Sequence, residues 1–463
     1  MPGSLWSRNT NLATLIRASV LVGLSMLSAD AAGASTSDST RTSDTGSDFA
    51  ASTGVPWNPP HALAPRAAWE QVVLLPGRIA SLPFVGIGFV ARHSVTFLDG
   101  SGWMPGASST GPLRTHRWFS VGKPGLPDRA GLGASAQLRV LGSDGPMPQF
   151  TLRYSASVNL YNRTLVSAAR GPLALEYAYD WRPQDRFYGI GTSTSRDDRS
   201  DYAAQEEAVR TALRFEWGRD STRLAPRARV GLWAGPRSLV MRRGRDAAQT
   251  SYELRFPELA ASTLDRRVEH FVYGAEVGAD WRSGRPHWSR GGRVTLAAER
   301  DDAPIAALAL HTGQSEGASL TKLSFEGEGG ISFMRDPRTF RCLLRLVDER
   351  TGSDPRGLLF PELSRLGGRD GLAGFGPGRF QDLDLLLTRV TYVFPLARLF
   401  EFEVHSEWGA VYHDVWKDAS LGSLKSSLGG SMRARGPRSL FGALGLDASR
   451  EGVRIHYSLG GAE

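Results

Sequence analysis

The residue types that most often carry chemistry are sparse in this chain. Nine histidines (His61, His93, His116, His270, His287, His311, His405, His413 and His456) are scattered over 463 residues. None shows the H-x-x-x-H spacing that puts two imidazoles on one helical face for a metal ion. His405 and His413 stand eight apart and lack a third ligand. The single cysteine, Cys342, excludes a disulfide framework and a thiolate zinc site. No G-x-S-x-G elbow offers an activated serine. Gly374-Phe375-Gly376-Pro377-Gly378 is glycine-rich, but no P-loop lysine or following helix accompanies it to hold a phosphate. The expectation is no catalytic residue, no metal site and no cofactor, so the chain is not read as an enzyme.

Composition narrows the class further. The chain is 41% apolar and 22% charged, with 53 glycines and 26 prolines spread along its length, which argues against a soluble helical enzyme. Its length allows two or three domains or one large closed architecture. After the N-terminus there is no apolar, uncharged run of about 18 residues, which excludes a helical membrane protein. The net charge of +8 is almost entirely arginine, since only Lys123, Lys322, Lys417 and Lys425 are lysines. These arginines are interleaved with acidic residues and form no basic stripe, so nucleic acid is not an expected partner.

Residues 1–34 read as a secretory signal. Arg8 and Arg17 precede the apolar run Ala18 to Leu27, and small residues after it offer a cleavage site. Residues 35–60 lack the apolar surface needed to offset ordering entropy and read as a disordered linker. Residues 61–131, punctuated by Gly and Pro, read as a periplasmic or lumen-associated lead-in. From about residue 132 the apolar residues fall on alternate positions: Leu152, Tyr154, Ala156, Val158 and Leu160; Leu173, Leu175, Tyr177, Tyr179 and Trp181; Phe400, Phe402 and Val404; Val453, Ile455 and Tyr457. Such strands have one apolar and one polar face.

A soluble sandwich would also alternate, but its strands average about five or six residues, whereas a tilted strand crossing a bilayer needs about nine or more. The longer spacing predicts an all-β chain, a transmembrane antiparallel β-barrel over residues 132–463. Strands are expected near 132–142, 150–161, 172–182, 203–217, 226–236, 250–257, 267–282, 291–300, 304–311, 319–332, 338–349, 385–395, 399–412, 423–434, 439–447 and 453–460. That makes about sixteen, with fourteen as the alternative because 250–257 and 304–311 are the weakest. Long loops then alternate with short turns, as in outer-membrane barrels. The polar face carries both signs, such as Arg153, Arg210 and Arg389 beside Glu176, Glu403 and Glu407. That mixture predicts ion-paired networks or a filled interior more than an open single-sign filter.

The longest connection is also the most distinctive: FPELSRLGGRDGLAGFGPGRFQD, residues 360–382. Leu366-Gly367-Gly368, Leu372-Ala373-Gly374-Phe375 and Arg379-Phe380-Gln381-Asp382 resemble the sixth extracellular loop of the BamA/TamA family, the bacterial surface antigen group of outer-membrane barrels. Phe187-Tyr188-Gly189-Ile190-Gly191 and Glu407-Trp408-Gly409 resemble two further family pieces, after the third strand and on the thirteenth. The family's loop arginine, which reaches to the thirteenth-strand acid, is Ala373 here. Arg369 or Arg379 is the expected substitute for the positive charge opposite Glu407, because a buried carboxylate without a partner is costly. The Pro-rich lead-in does not show the order of POTRA modules.

The resemblance implies an outer-membrane location in a Gram-negative bacterium after signal-peptide cleavage. It also implies a role in outer-membrane biogenesis or in translocation of protein or lipid, with a passive transport pore or structural surface antigen as the alternative. Expected partners are outer-membrane lipid and lipopolysaccharide, together with unfolded outer-membrane proteins or a periplasmic or lipoprotein partner. An outer-membrane enzyme would need Ser, His and an orienting acid together on the outer rim, and no such set stands out.

Overall fold

The computed structural model describes residues 119–122, 126, 130, 133–140, 148–218, 227–246, 249–282, 290–302, 319–333, 338–351, 359–368, 371–397, 400–435 and 440–461. The expected signal, the linker, nearly all of the lead-in, the strand at 304–311 and Arg369 lie outside the described residues.

Sixteen strands form one antiparallel sheet in chain order. They are β1 (Phe119–Gly122), β2 (Gly133–Val140), β3 (Gln149–Ser157), β4 (Asn162–Arg170), β5 (Leu173–Phe187), β6 (Ser200–Trp217), β7 (Arg227–Arg243), β8 (Arg267–Asp280), β9 (Gly291–Asp302), β10 (Leu320–Phe333) and β11 (Arg338–Thr351). After an inserted hairpin, β12 (Ser364–Leu366) and β13 (Phe380–Asp382), the sheet continues with β14 (Asp384–Ala397), β15 (Phe400–Tyr412), β16 (Lys425–Arg435), β17 (Leu440–Ser449) and β18 (Gly452–Gly461). Among the described residues no helix is long and apolar enough to cross a membrane.

Period-two alternation dictates the faces. Leu138, Leu152, Val166 and Tyr177 are exposed and stand opposite one another from β2 to β5. Ile331, Phe340, Val404, Leu446 and Ile455 are likewise exposed. They fall in one row that Tyr392 and Gly430 complete from β10 to β18. A water-soluble surface rarely carries contiguous apolar patches beyond a few hundred Å², whereas a lipid-facing band is made this way.

The sheet is rolled. In a flat sheet β6 and β17 would lie about 40 Å apart, nine strand spacings of about 4.8 Å. Yet Arg196, just before β6, donates from Nη1 to the carbonyl of Glu451 between β17 and β18, at 2.9 Å. The fold is therefore an all-β, sixteen-stranded barrel of membrane type, and among the described residues no ladder joins β1 to β18.

The sixteen described strands are not the same sixteen as expected. The expected strand at 250–257 is instead two short helices, α1 (Tyr252–Arg255) and α2 (Pro257–Thr263). Tyr252 and Ala260 are buried, Phe256 packs against the same cluster and Leu254 is 76% exposed. The buried set thus recurs every four residues, a helical period, and Pro257 suits the first turn of α2. The expected strand 150–161 ends at Ser157, and Leu160 turns the chain at φ 62°. The next strand, β4, carries only Val166 as a large exposed apolar residue, so its alternation is weak. β1 lies within the segment read as lead-in.

Candidate functional site

The hairpin of β12 and β13 lies inside the barrel and draws the singled-out motifs together. Its strands pair Ser364 with Asp382, Arg365 with Gln381 and Leu366 with Phe380. The chain between them folds back tightly: Gly367, at φ 115°, leaves a side chain no room, since a Cβ there would sit 2.2 Å from the Gly376 carbonyl oxygen. Leu366, Leu372, Phe375 and Phe380 pack on Val347, Leu385, Leu387 and Val411 of β11, β14 and β15. At the hairpin's base Phe360 stacks on Phe187 with ring centroids 4.0 Å apart. Leu359, Phe360, Leu363 and Leu383 join Tyr202, Leu239 and Val268 from β6, β7 and β8. One hairpin therefore touches both halves of the wall.

Arg379 fastens it. The guanidinium lies 4.8 Å from the Tyr188 ring centroid and 4.7 Å from that of Phe380. Nε donates to Glu451 Oε1 at 2.8 Å, Nη1 to Thr194 Oγ1 at 2.8 Å and Nη2 to the Thr194 carbonyl at 2.7 Å. Its planar face and its donors are both used, which lysine could not reproduce. Beside it the Gly191 N–H donates to the Gln381 carbonyl at 2.7 Å, so the Phe187–Gly191 motif meets the Arg379–Asp382 motif directly. Thr192 bonds to both the carbonyl and the N–H of Val411 on β15. Gly374 and Gly368 belong to the same tip: Ser449 Oγ donates to the Gly374 carbonyl at 2.8 Å, and the Gly368 N–H to the Phe375 carbonyl.

Glu407, fully buried, is not partnered by Arg379. Arg389, opposite it on β14, places Nε 2.6 Å and Nη2 2.5 Å from Oε1. Oε2 accepts from Ser427 Oγ at 2.7 Å and from the Ala373 backbone N–H at 2.5 Å. The residue that replaces the resembled family's arginine thus still touches the acid, through its main chain, while the compensating charge comes from a neighbouring strand. The expectation that Arg379 would serve Glu407 is corrected, because Arg379 is committed to Glu451 and Thr194. Gly409, two residues on, faces Leu366. A Cβ there would meet the Leu386 carbonyl oxygen at 2.9 Å and Leu366 Cδ2 at 3.1 Å.

Asp382 is buried at the hairpin's exit, and burial pushes its carboxyl above the ordinary range, opposed by the Leu383 N–H and by His413. Tyr252, on α1 and outside the sheet, is pushed up to about 12 by burial, against its hydrogen bond to Thr263. A cavity of about 320 Å³ is lined by Arg282, Arg293, Arg341, Arg389, Arg433 and Glu403 among others. Opposite charges meet within it: Arg433 pairs with Glu403, and Arg293 lies 3.5 Å from Glu328. The arrangement can fix a segment and screen charge.

Alternation could not reveal Arg389 as the partner of Glu407, nor Thr192, Thr194 and Glu451 as anchors. Nor could it reveal that His270, Asp301 and Glu362 converge. Register and loop docking bring these residues together from positions far apart in the chain.

No protein-family model matches the chain, and no curated protein matches it in sequence. Among solved structures, it is similar to BamA from Haemophilus ducreyi lacking POTRA domains 1–3, at 12% identity and a TM-score of 0.47, over 74% of this chain and 70% of that one. It is also similar to CdiB from Acinetobacter baumannii at 9% identity and a TM-score of 0.40, over 71% of this chain, and to CdiB from Escherichia coli at 12% and 0.41, over 70%. The matched region spans 56% and 58% of those two CdiB chains. The barrel assignment rests on the strand register and the exposed apolar rows described above.

Proposed function

We propose that the chain is an outer-membrane barrel of a Gram-negative bacterium that acts in outer-membrane biogenesis or in translocation of protein or lipid. In this reading the hairpin is an internal plug and the junction of β1 with β18 is a movable seam. The observation that carries it is the inequality of the sheet. Strands β5 to β15 of the wall run from 12 to 18 residues. By contrast β3 and β4, toward one end of the sheet, have nine each. A bilayer-spanning strand needs about nine to eleven, so β3 and β4 sit at the lower limit for crossing. Lipid there meets a shorter apolar belt and must thin locally, which lowers the cost of opening that end of the sheet. The loop motif supports the same location and role.

Outer-membrane lipid and lipopolysaccharide would contact the apolar rows, and an unfolded outer-membrane protein or a periplasmic or lipoprotein partner would engage the seam. The second reading, a passive pore or structural surface antigen, is favoured by the arginine-lined cavity. Membrane fractionation with heat-modifiable gel migration tests the location; a soluble periplasmic protein would refute it. In planar bilayers, absence of steady conductance supports the plugged barrel, and a steady open channel supports the pore.

A further inference from the structure

We propose that His270, Asp301 and Glu362 form a divalent-metal site of the zinc-binding class that ties the base of the hairpin to the barrel wall. The three come from separate elements: β8, β9 and the 3₁₀ turn Phe360–Glu362 that leads into β12. Their exposures are 1%, 3% and 8%, and one ligand atom from each lies within 4.8 Å of the others.

The bonding around the trio points to a missing partner. His270 Nε2 and Glu362 Oε1 are 2.9 Å apart, yet neither Glu362 Oε1 nor either ring nitrogen completes a hydrogen bond among the described residues. Buried polar atoms are rarely left so. The remaining oxygens are already held. Glu362 Oε2 accepts the Leu359 N–H at 3.0 Å, which aims Oε1 at the ring. Asp301 Oδ2 lies 3.6 Å from Arg237 Nη1, leaving its other oxygen; Arg237 is also satisfied by Glu206 at 2.9 Å.

A neutral imidazole and two carboxylates balance a dication, and one nitrogen with oxygen donors suits zinc better than calcium or magnesium, which take oxygen alone. Three protein ligands leave a position for water. Because Glu362 belongs to the turn that carries Phe360 against Phe187, occupancy would fix the hairpin's entry into the lumen. The site is independent of the proposed biogenesis role, since it concerns only where the hairpin is held.

The test uses the tag-free, folded full chain in detergent, dialysed against chelator and then titrated with zinc chloride by calorimetry. The site predicts one equivalent bound, at least tenfold weaker binding in His270→Gln and in Glu362→Gln, and unchanged binding in the exposed-histidine control His413→Gln. Heat-modifiable migration of each variant establishes folding. On the wild-type chain alone, zinc, and not magnesium, should slow protease cleavage within residues 359–382. No stoichiometric zinc binding by the wild-type chain, equal binding by folded His270→Gln and Glu362→Gln, or cleavage indifferent to zinc would each overturn the assignment.

Discussion

Arg389 and Glu407 face each other across β14 and β15 with guanidinium nitrogens 2.5 and 2.6 Å from one carboxylate oxygen. This pair supplies in the wall the charge balance that the resembled family draws from its loop. The division of labour follows: the wall neutralises Glu407, while the hairpin contributes the Ala373 N–H and Arg379 turns outward to the strand-connecting loops.

Breaking the pair should be costly because Glu407 is fully buried. Arg389→Ala is expected to destabilise the barrel by about 2–3 kcal/mol, at the lower end for a buried pair since Arg389 is partly wetted. Arg389→Ala with Glu407→Gln should recover part of that loss, because no uncompensated charge is left. Urea unfolding of the four chains in a double-mutant cycle measures the coupling.

Arg379 is predicted to govern hairpin docking more than barrel stability. Arg379→Ala should expose residues 364–382 to limited proteolysis while heat-modifiable migration persists. Arg379→Lys should protect no better, because a point charge cannot bridge Thr194 and Glu451 while stacking on Tyr188 and Phe380. Mass spectrometry of the cleavage products reads the outcome.

Asp382 makes docking pH-dependent. Its carboxyl in the folded chain titrates above the ordinary value of 3.8, chiefly through burial. A raised folded-state pKa favours the docked state fully below 3.8, and that contribution is lost as pH rises through the folded value. Asp382→Asn keeps an acceptor for the Leu383 N–H and carries no charge. Its hairpin should therefore resist protease better than wild type at pH 7, with the difference closing below about pH 4. Protease half-lives across that range check the sign.

Gly409→Ala should destabilise by about 1–3 kcal/mol, the usual cost of overpacking. The added methyl would press on the Leu386 carbonyl and on Leu366. Loss of hairpin protection together with a lower unfolding midpoint is the expected pair of results.

Much of the wall was legible because lipid on one face and a polar interior on the other enforce strict alternation in β5, β6, β15 and β18. It failed where that contrast fades: in β4, built largely of small residues, and at Tyr252, Phe256 and Ala260, whose spacing of four is helical. The three motifs at Phe187–Gly191, Leu366–Asp382 and Glu407–Gly409 were visible singly, and the structure brings them to one hairpin. Their partners were not visible, because Arg389, Thr194 and Glu451 look like ordinary polar-face or loop residues until register and rolling set them beside the hairpin. The His270, Asp301 and Glu362 trio was missed for the same reason: 92 residues of chain separate its ends, and no local spacing marks it.

The central claim is that the work is done at the seam between β1 and β18 with the lumen plugged. In a Cys342→Ser background, cysteine pairs with one member in Phe119–Gly122 and the other in Gly452–Gly461 should lock that seam when oxidised. In a strain whose outer-membrane integrity depends on this chain, the account predicts loss of integrity on oxidation and recovery on reduction, with each single cysteine silent. Full function of a quantitatively cross-linked chain would contradict it.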